Sequence, residues 1–154
     1  MTGWKPGHTT ISTLVQSGHL ERISGDAANG DYLIEQARRR LAGARAANAA
    51  DHIGAFELAY DSARQAMTAL LAQQGLRPRV EGGHIAVADA VTAQFGQGFR
   101  AFNRMRRIRN QLEYPRSPAD LELEQADTQQ ALTDAASIIS AVEQLLPELG
   151  IWQP

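Results

Sequence analysis

Between Asp51 and Gly75 the residues Phe56, Tyr60, Ala63, Met67, Leu70 and Leu71 recur at three- and four-residue steps and fall within a narrow arc at ~100° per residue. An α-helix gathers such a stripe on one side, whereas a strand would send successive members to opposite faces. The same period returns elsewhere. Leu33, Ala37, Leu41 and Ala44 mark a helix from about Tyr32 to Asn48, with Arg38, Arg39 and Arg45 facing away from that stripe. Ala131, Leu132, Ala135, Ile138, Ile139, Val142, Leu145 and Leu146 mark a last long helix. No run alternates with the period of two that a half-buried strand requires, so the chain is expected to be all-α.

Capping and breaking residues divide these segments. Asp31 and Asp51 are placed to cap the two helices that follow them, and Gly75 to end the second. Thr9 to Ile23 allows a short helix interrupted near Gly18, and residues 24–30 read as a loop by composition. Leu76 to Gly83 is a turn-rich connection to a short helix from His84 to Phe95, which Gly96 and Gly98 stop. A further helix from Phe99 to about Glu113 ends at Tyr114-Pro115, because proline disfavours helical geometry in the residue before it. Ser117-Pro118 then supplies a cap and a first-turn proline for the last helix. The expected architecture is a four-to-five-helix up-and-down bundle over residues 31–148, preceded by a segment 1–30 with a short helix and followed by a tail, 149–154.

At 154 residues the chain has the size of one domain, and folding can hide roughly 68–70% of its unfolded surface, so no covalent or metal staple is required. It has no cysteine, which excludes disulfides, Cys-ligated zinc and thiol catalysis. His8, His19, His52 and His84 show no ligand spacing, so neither a metal site nor a cofactor is expected. The start, Met1 to Pro6, lacks the pattern of a secretory leader, and no apolar run approaches membrane-spanning length; a cytoplasmic location without membrane contact is expected. Net charge is −2, so any nucleic-acid contact must come from local patches. Fourteen of the fifteen basic residues are arginine, which suits phosphate recognition but follows equally from a GC-rich genome.

The segment Phe99 to Pro115 is the most informative. Around a helix, Phe102, Met105, Ile108 and Leu112 share one apolar arc, and Arg109 projects into it, while Arg100, Arg104 and Arg107 lie on the opposite side. A guanidinium on a core-facing stripe needs a counter-charge or a polar cleft, because burying it unpaired costs several kcal/mol. Two arrangements satisfy this. In one, Arg109 forms an internal salt bridge with Glu113, one turn later, or with Asp61 of a neighbouring helix. In the other, it opens into a cleft and holds a phosphate with Asn110 beside it. Arg100, Arg104 and Arg107 form a ridge that can track RNA phosphates or face the acidic segment Asp120 to Glu124.

These residues resemble a known family. Arg109-Asn110, followed by an aromatic residue at the fifth position after the arginine and just before a helix break, looks like the HEPN signature of an arginine, four to six residues and a histidine. Leu58 to Ala66, Gln74 to Pro78, Gly82-Gly83-His84 and Arg106 to Pro115 look like a bacterial branch of that family. The resemblance implies a HEPN-type bundle that pairs as a homodimer, with an RNA or nucleotide site in the interfacial cleft. Catalytic HEPN members are metal-independent endoribonucleases; many are toxins of toxin-antitoxin pairs, and some are paired with a nucleotidyltransferase. Carried over, Arg109 would stabilise the scissile phosphate and Asn110 would orient it.

Tyr114 stands where the family has its histidine, and no histidine follows His84. Tyrosine is a poor base at neutral pH, since its ordinary pKa is about 10, but it can donate a proton or hydrogen bond. His84 can supply a base if the Gly82-Gly83 turn brings it to Arg109; otherwise it simply starts its helix. Tyr114 can alternatively pack at the helix end with its hydroxyl on a neighbouring helix, or serve as acceptor for a nucleotidyltransferase. The expected catalytic set is therefore Arg109, Asn110, Tyr114 and His84, with Arg106, Arg107, Glu113 and Asp61 contacting substrate. The competing function is a non-catalytic interaction or scaffold module in which Arg109 belongs to a structural ion pair.

Overall fold

The computed structural model describes residues 4–79 and 83–154. Among them are six α-helices, α1 His8–Gln16, α2 Asp31–Ala47, α3 His52–Gln73, α4 Gly83–Phe95, α5 Ala101–Glu113 and α6 Gln125–Leu145, and two short strands, β1 Leu20–Arg22 and β2 Leu76–Pro78. The all-α expectation holds at this level. No helix among the described residues is long and apolar enough to cross a membrane.

The stripe on α3 proves to be one part of a wider buried surface. Besides Phe56, Tyr60, Ala63, Met67, Leu70 and Leu71, the alanines 55, 59, 66, 69 and 72 are buried, and α2, α4, α5 and α6 all pack against this helix. Alanine carries little hydrophobic weight, so periodicity emphasised the large side chains; its small Cβ lets neighbouring helices approach on the remaining faces. Asp51 caps α3 as expected, its Oδ1 accepting from Gly54 N at 2.9 Å. Gly75, at φ +73°, turns the chain out after its last turn.

Two local expectations are corrected. Asp31 is the first helical residue of α2 and not its cap. The preceding Asn29 side chain accepts from Asp31 N, while Gly30 N donates to Gln73 Oε1 at 3.0 Å. Ser117-Pro118 opens only a 3₁₀ turn, Pro118–Leu121. The chain then runs extended to Glu124, whose side chain and that of Asp127 cap α6 reciprocally. This extended stretch lets the Leu123 carbonyl bond the His52 ring at the start of α3.

The expectation of no strands fails at β1 and β2. They pair antiparallel with Leu20 opposite Pro78 and Arg22 opposite Leu76; three-residue strands are too short to show alternation.

The two ends of the chain contribute to the same core. Ile11, Leu20, Leu149 and Trp152 belong to one buried cluster with the helices 31–148. Trp152 N donates to Gln74 O, and Trp4 Nε1 donates to Gln94 O. Between those two carbonyls the Gln74 and Gln94 side chains exchange two buried amide hydrogen bonds, of 2.6 and 3.0 Å.

Gly30 and Gly43 should respond oppositely to alanine. A Cβ on Gly30 would meet the Ala69 carbonyl oxygen at 2.4 Å, whereas one on Gly43, in the exposed middle of α2, meets nothing within 4 Å. We expect Gly30→Ala to lower stability by about 1–3 kcal/mol through overpacking, and Gly43→Ala to raise it by about 0.5–1 kcal/mol. Urea unfolding followed by circular dichroism measures both.

Candidate functional site

Tyr60 is 2% exposed. Its ring stacks on Phe102 of α5, with centroids 5.1 Å apart and planes inclined by 15°. A buried phenol still needs a hydrogen-bond partner, and Tyr60 finds His84 in the first turn of α4, with its hydroxyl 2.6 Å from Nδ1. Over the Tyr60 ring, 5.6 Å from its centroid, lies the guanidinium carbon of Arg109, within the range of a cation–π contact.

Arg109 completes its environment with Glu113, Nη1 to Oε2 at 2.5 Å, one turn along α5. The anticipated salt bridge is therefore present, and Glu113 is the partner. Asp61 instead accepts from Arg40 at 2.5 Å and from Arg64 at 3.0 Å. Arg109 nonetheless keeps 28% of its side chain accessible, so the ion pair does not seal it from solvent. One edge of the guanidinium is paired, and the residue also lines an open cleft of about 370 Å³ with His84, Arg106, Asn110, Glu113 and Tyr114. A second hollow, of about 340 Å³, adjoins Arg109 and Glu113 and is lined also by Glu57, Tyr60 and Asp61.

The fold thus gathers Arg109, Asn110, Tyr114, His84, Arg106 and Glu113 around one cleft. Asp61 is left at the adjoining hollow. Arg107 is exposed and does not line the cleft; a side chain two residues from Arg109 is turned by ~200° around the helix. On the basic ridge Arg104 faces Asp127, at 3.5 Å, and not the 120–124 segment. Asp120 accepts from Arg116 N instead.

Tyr114 corrects the packed-ring alternative. Its side chain is 72% exposed, because α5 ends at Glu113 and Tyr114 takes φ −126° and ψ 63° ahead of Pro115. Gly83 begins α4 beside the cleft; Gly82, the other half of the anticipated turn, lies outside the described residues. Tyr60 was legible only as a core residue, although a tyrosine on a buried stripe already signals a hydroxyl in search of a partner. Ile85, apolar and in the pattern of its helix, is exposed on the cleft rim beside His84 and does not join the core.

Electrostatics follows from this packing. Burial drives the Tyr60 phenol up to about 12 against the opposing pull of Arg109, Arg64 and Arg106. Burial, then Arg64 and Arg109, hold His84 below its ordinary value of 6.5. At neutral pH both groups are therefore uncharged, and the cleft's positive charge comes from Arg106 and Arg109. Among the described residues Arg106 Nε is buried without a hydrogen-bond partner. No three His, Asp or Glu side chains among the described residues converge to hold a metal ion.

Compared with protein-family models, curated proteins and solved structures, the chain matches none of them.

The two shifts have opposite consequences for stability. Tyr60 titrates higher folded than unfolded, so its contribution is complete below pH ~10 and is lost as pH rises toward 12, up to about 2–3 kcal/mol. His84 titrates lower folded, so its contribution is complete above the unfolded value of ~6.5 and is lost as pH falls below it. Ultraviolet titration should show one tyrosine ionisation near 12 that Tyr60→Phe abolishes. Urea midpoints should fall less steeply with acid in His84→Gln than in the wild type.

Proposed function

We propose that this chain is a HEPN-type helical protein that binds RNA or a nucleotide through its phosphate in the cleft of Arg106, Arg109, Asn110 and His84. The observation that carries this is the convergence of two guanidinium groups on one open cleft, one of them with a buried nitrogen lacking a protein partner. Half-buried arginines in a concave polar site suit phosphate oxygens, since their planar N–H groups bond them in pairs. Asn110, exposed at the cleft, adds neutral donors and an acceptor. Tyr114 and Ile85 give the rim an exposed aromatic ring and an apolar side chain on which a base can stack.

The proposed assembly is a homodimer that brings two such clefts together, in line with the resemblance carried by Arg106 to Pro115. Binding is supported more directly than cleavage. Metal-free RNA cleavage needs a group that takes the 2′-hydroxyl proton; Tyr114 occupies the position of the family's histidine, and Tyr60 already engages His84 Nδ1. One observation favours the second function, an interaction module: the Arg109–Glu113 pair satisfies part of the guanidinium without any ligand.

The deciding experiment incubates a mixed RNA pool in EDTA with the wild type, Arg109→Ala and Arg106→Ala, with folding checked by circular dichroism and mass by light scattering. We expect dimer mass and RNA binding that weakens with salt. Each alanine variant should bind about 10- to 100-fold more weakly, as expected for loss of a charge-assisted hydrogen bond of about 1.5–3 kcal/mol. Arginine-dependent cleavage would extend the activity to a metal-independent endoribonuclease. Equal binding by all three folded proteins, or none, would remove the cleft from the function and favour the interaction module.

A further inference from the structure

We infer that Tyr60 is a positioning residue that fixes His84 as the neutral tautomer with its proton on Nε2, so that His84 offers the cleft a hydrogen-bond donor and not a base. Three proton arrangements are conceivable for a phenol oxygen 2.6 Å from an imidazole Nδ1. In the first, the phenol donates to Nδ1 and the ring proton resides on Nε2. In the second, Nδ1–H donates to the phenol oxygen and the phenol proton must find another acceptor. In the third, the ring is a cation that donates to the phenol or to a phenolate.

The structure separates them. Tyr60 is 2% exposed, and among the described residues its hydroxyl has no hydrogen-bond partner besides His84. The second arrangement strands a buried O–H donor, whereas the first leaves only acceptor lone pairs unfilled, and an unmet buried donor is the costlier omission. The third places a cation where Arg64 and Arg109 already stand. Asp61 and Glu113 oppose them, but Asp61 is committed to Arg40 and Arg64, and Glu113 to Arg109. The first arrangement remains.

Nδ1 is occupied by Tyr60, and the His84 side chain lines the cleft, which leaves Nε2–H as the group it can present there. A neutral imidazole held as donor adds direction to the charge of Arg106 and Arg109 without adding a like charge beside them. The complementary ligand group is an oxyanion, with one oxygen accepting from Nε2–H and the others facing the guanidinium groups. This functional part rests on the phosphate-binding function proposed above; the tautomer itself does not.

Two measurements keep these apart. Long-range ¹H–¹⁵N spectra of the uniformly labelled protein at neutral pH report which ring nitrogen of His84 is protonated, because the bare nitrogen resonates well downfield of the protonated one. We expect Nε2–H in the wild type and a loss of that preference in Tyr60→Phe, which keeps the ring on Phe102 and removes only the hydroxyl. A wild-type spectrum with the proton on Nδ1, or of a cationic ring, overturns the inference whatever the variant does; the wild type alone therefore decides should Tyr60→Phe fail to fold. Titration with inorganic phosphate then compares the wild type, His84→Gln and His84→Ala. Glutamine, which retains an N–H donor, should bind within a few-fold of the wild type, and alanine about tenfold or more weakly. Equal binding by both variants overturns the donor role. An Nε2–H wild type that binds neither phosphate nor RNA overturns the oxyanion cleft and leaves the tautomer standing.

Discussion

Burial of α3 on nearly every side is the constraint from which the rest of the molecule follows. A helix surrounded by four others must be apolar and narrow, and α3 meets this with alanines between its larger side chains. The exceptions then carry weight. Tyr60 brings a hydroxyl into this environment, and the hydroxyl's need for a partner draws His84 at the start of α4 toward α3. The flat face of the same ring seats Phe102 of α5 on one contact and Arg109 on another. The candidate site is thus assembled around one core tyrosine, and the helices that cover α3 supply its walls.

Arg109 shows how a charge can sit on an apolar stripe without being sealed in. Its guanidinium has the Tyr60 ring face and the Glu113 carboxylate within reach and still keeps 28% of its side chain accessible. A pair this exposed contributes little to folding stability, because water screens it and two side chains are ordered to make it. Its larger effect is orientation: the carboxylate and the ring hold the guanidinium where the cleft opens. Asp61, with two arginines of its own, is electrically satisfied elsewhere.

The uncharged state of His84 has the same origin. Burial removes water from the ring while two arginines raise the local potential, and both act against protonation. A cleft that is cationic through arginines, with a neutral histidine, holds its charge across the physiological pH range, since guanidinium does not deprotonate there. The anion binding proposed for it would then respond to salt more than to pH.

Much of this was determined by the sequence alone, wherever the information lies within a turn or two of helix. The period of α3, the cap at Asp51, the stop at Gly75, the Arg109–Glu113 pair four residues apart and the presence of Arg109 on an apolar face are all properties of one segment. The start of α6 is not legible in the same way, because Ser117-Pro118 is as good an opening for a 3₁₀ turn as for a long helix; α6 begins at Gln125, behind the Glu124–Asp127 cap, after the Leu123 carbonyl has met His52. The pairing of β1 with β2 joins residues more than fifty positions apart and leaves no local period. The union of Tyr60 with His84 and the exposure of Tyr114 likewise depend on how α3, α4 and α5 pack. Periodicity states which face of a helix is apolar; which polar atom on that face meets which partner is decided only when the helices close around α3, because only then does leaving a hydroxyl or a guanidinium unpaired carry its cost.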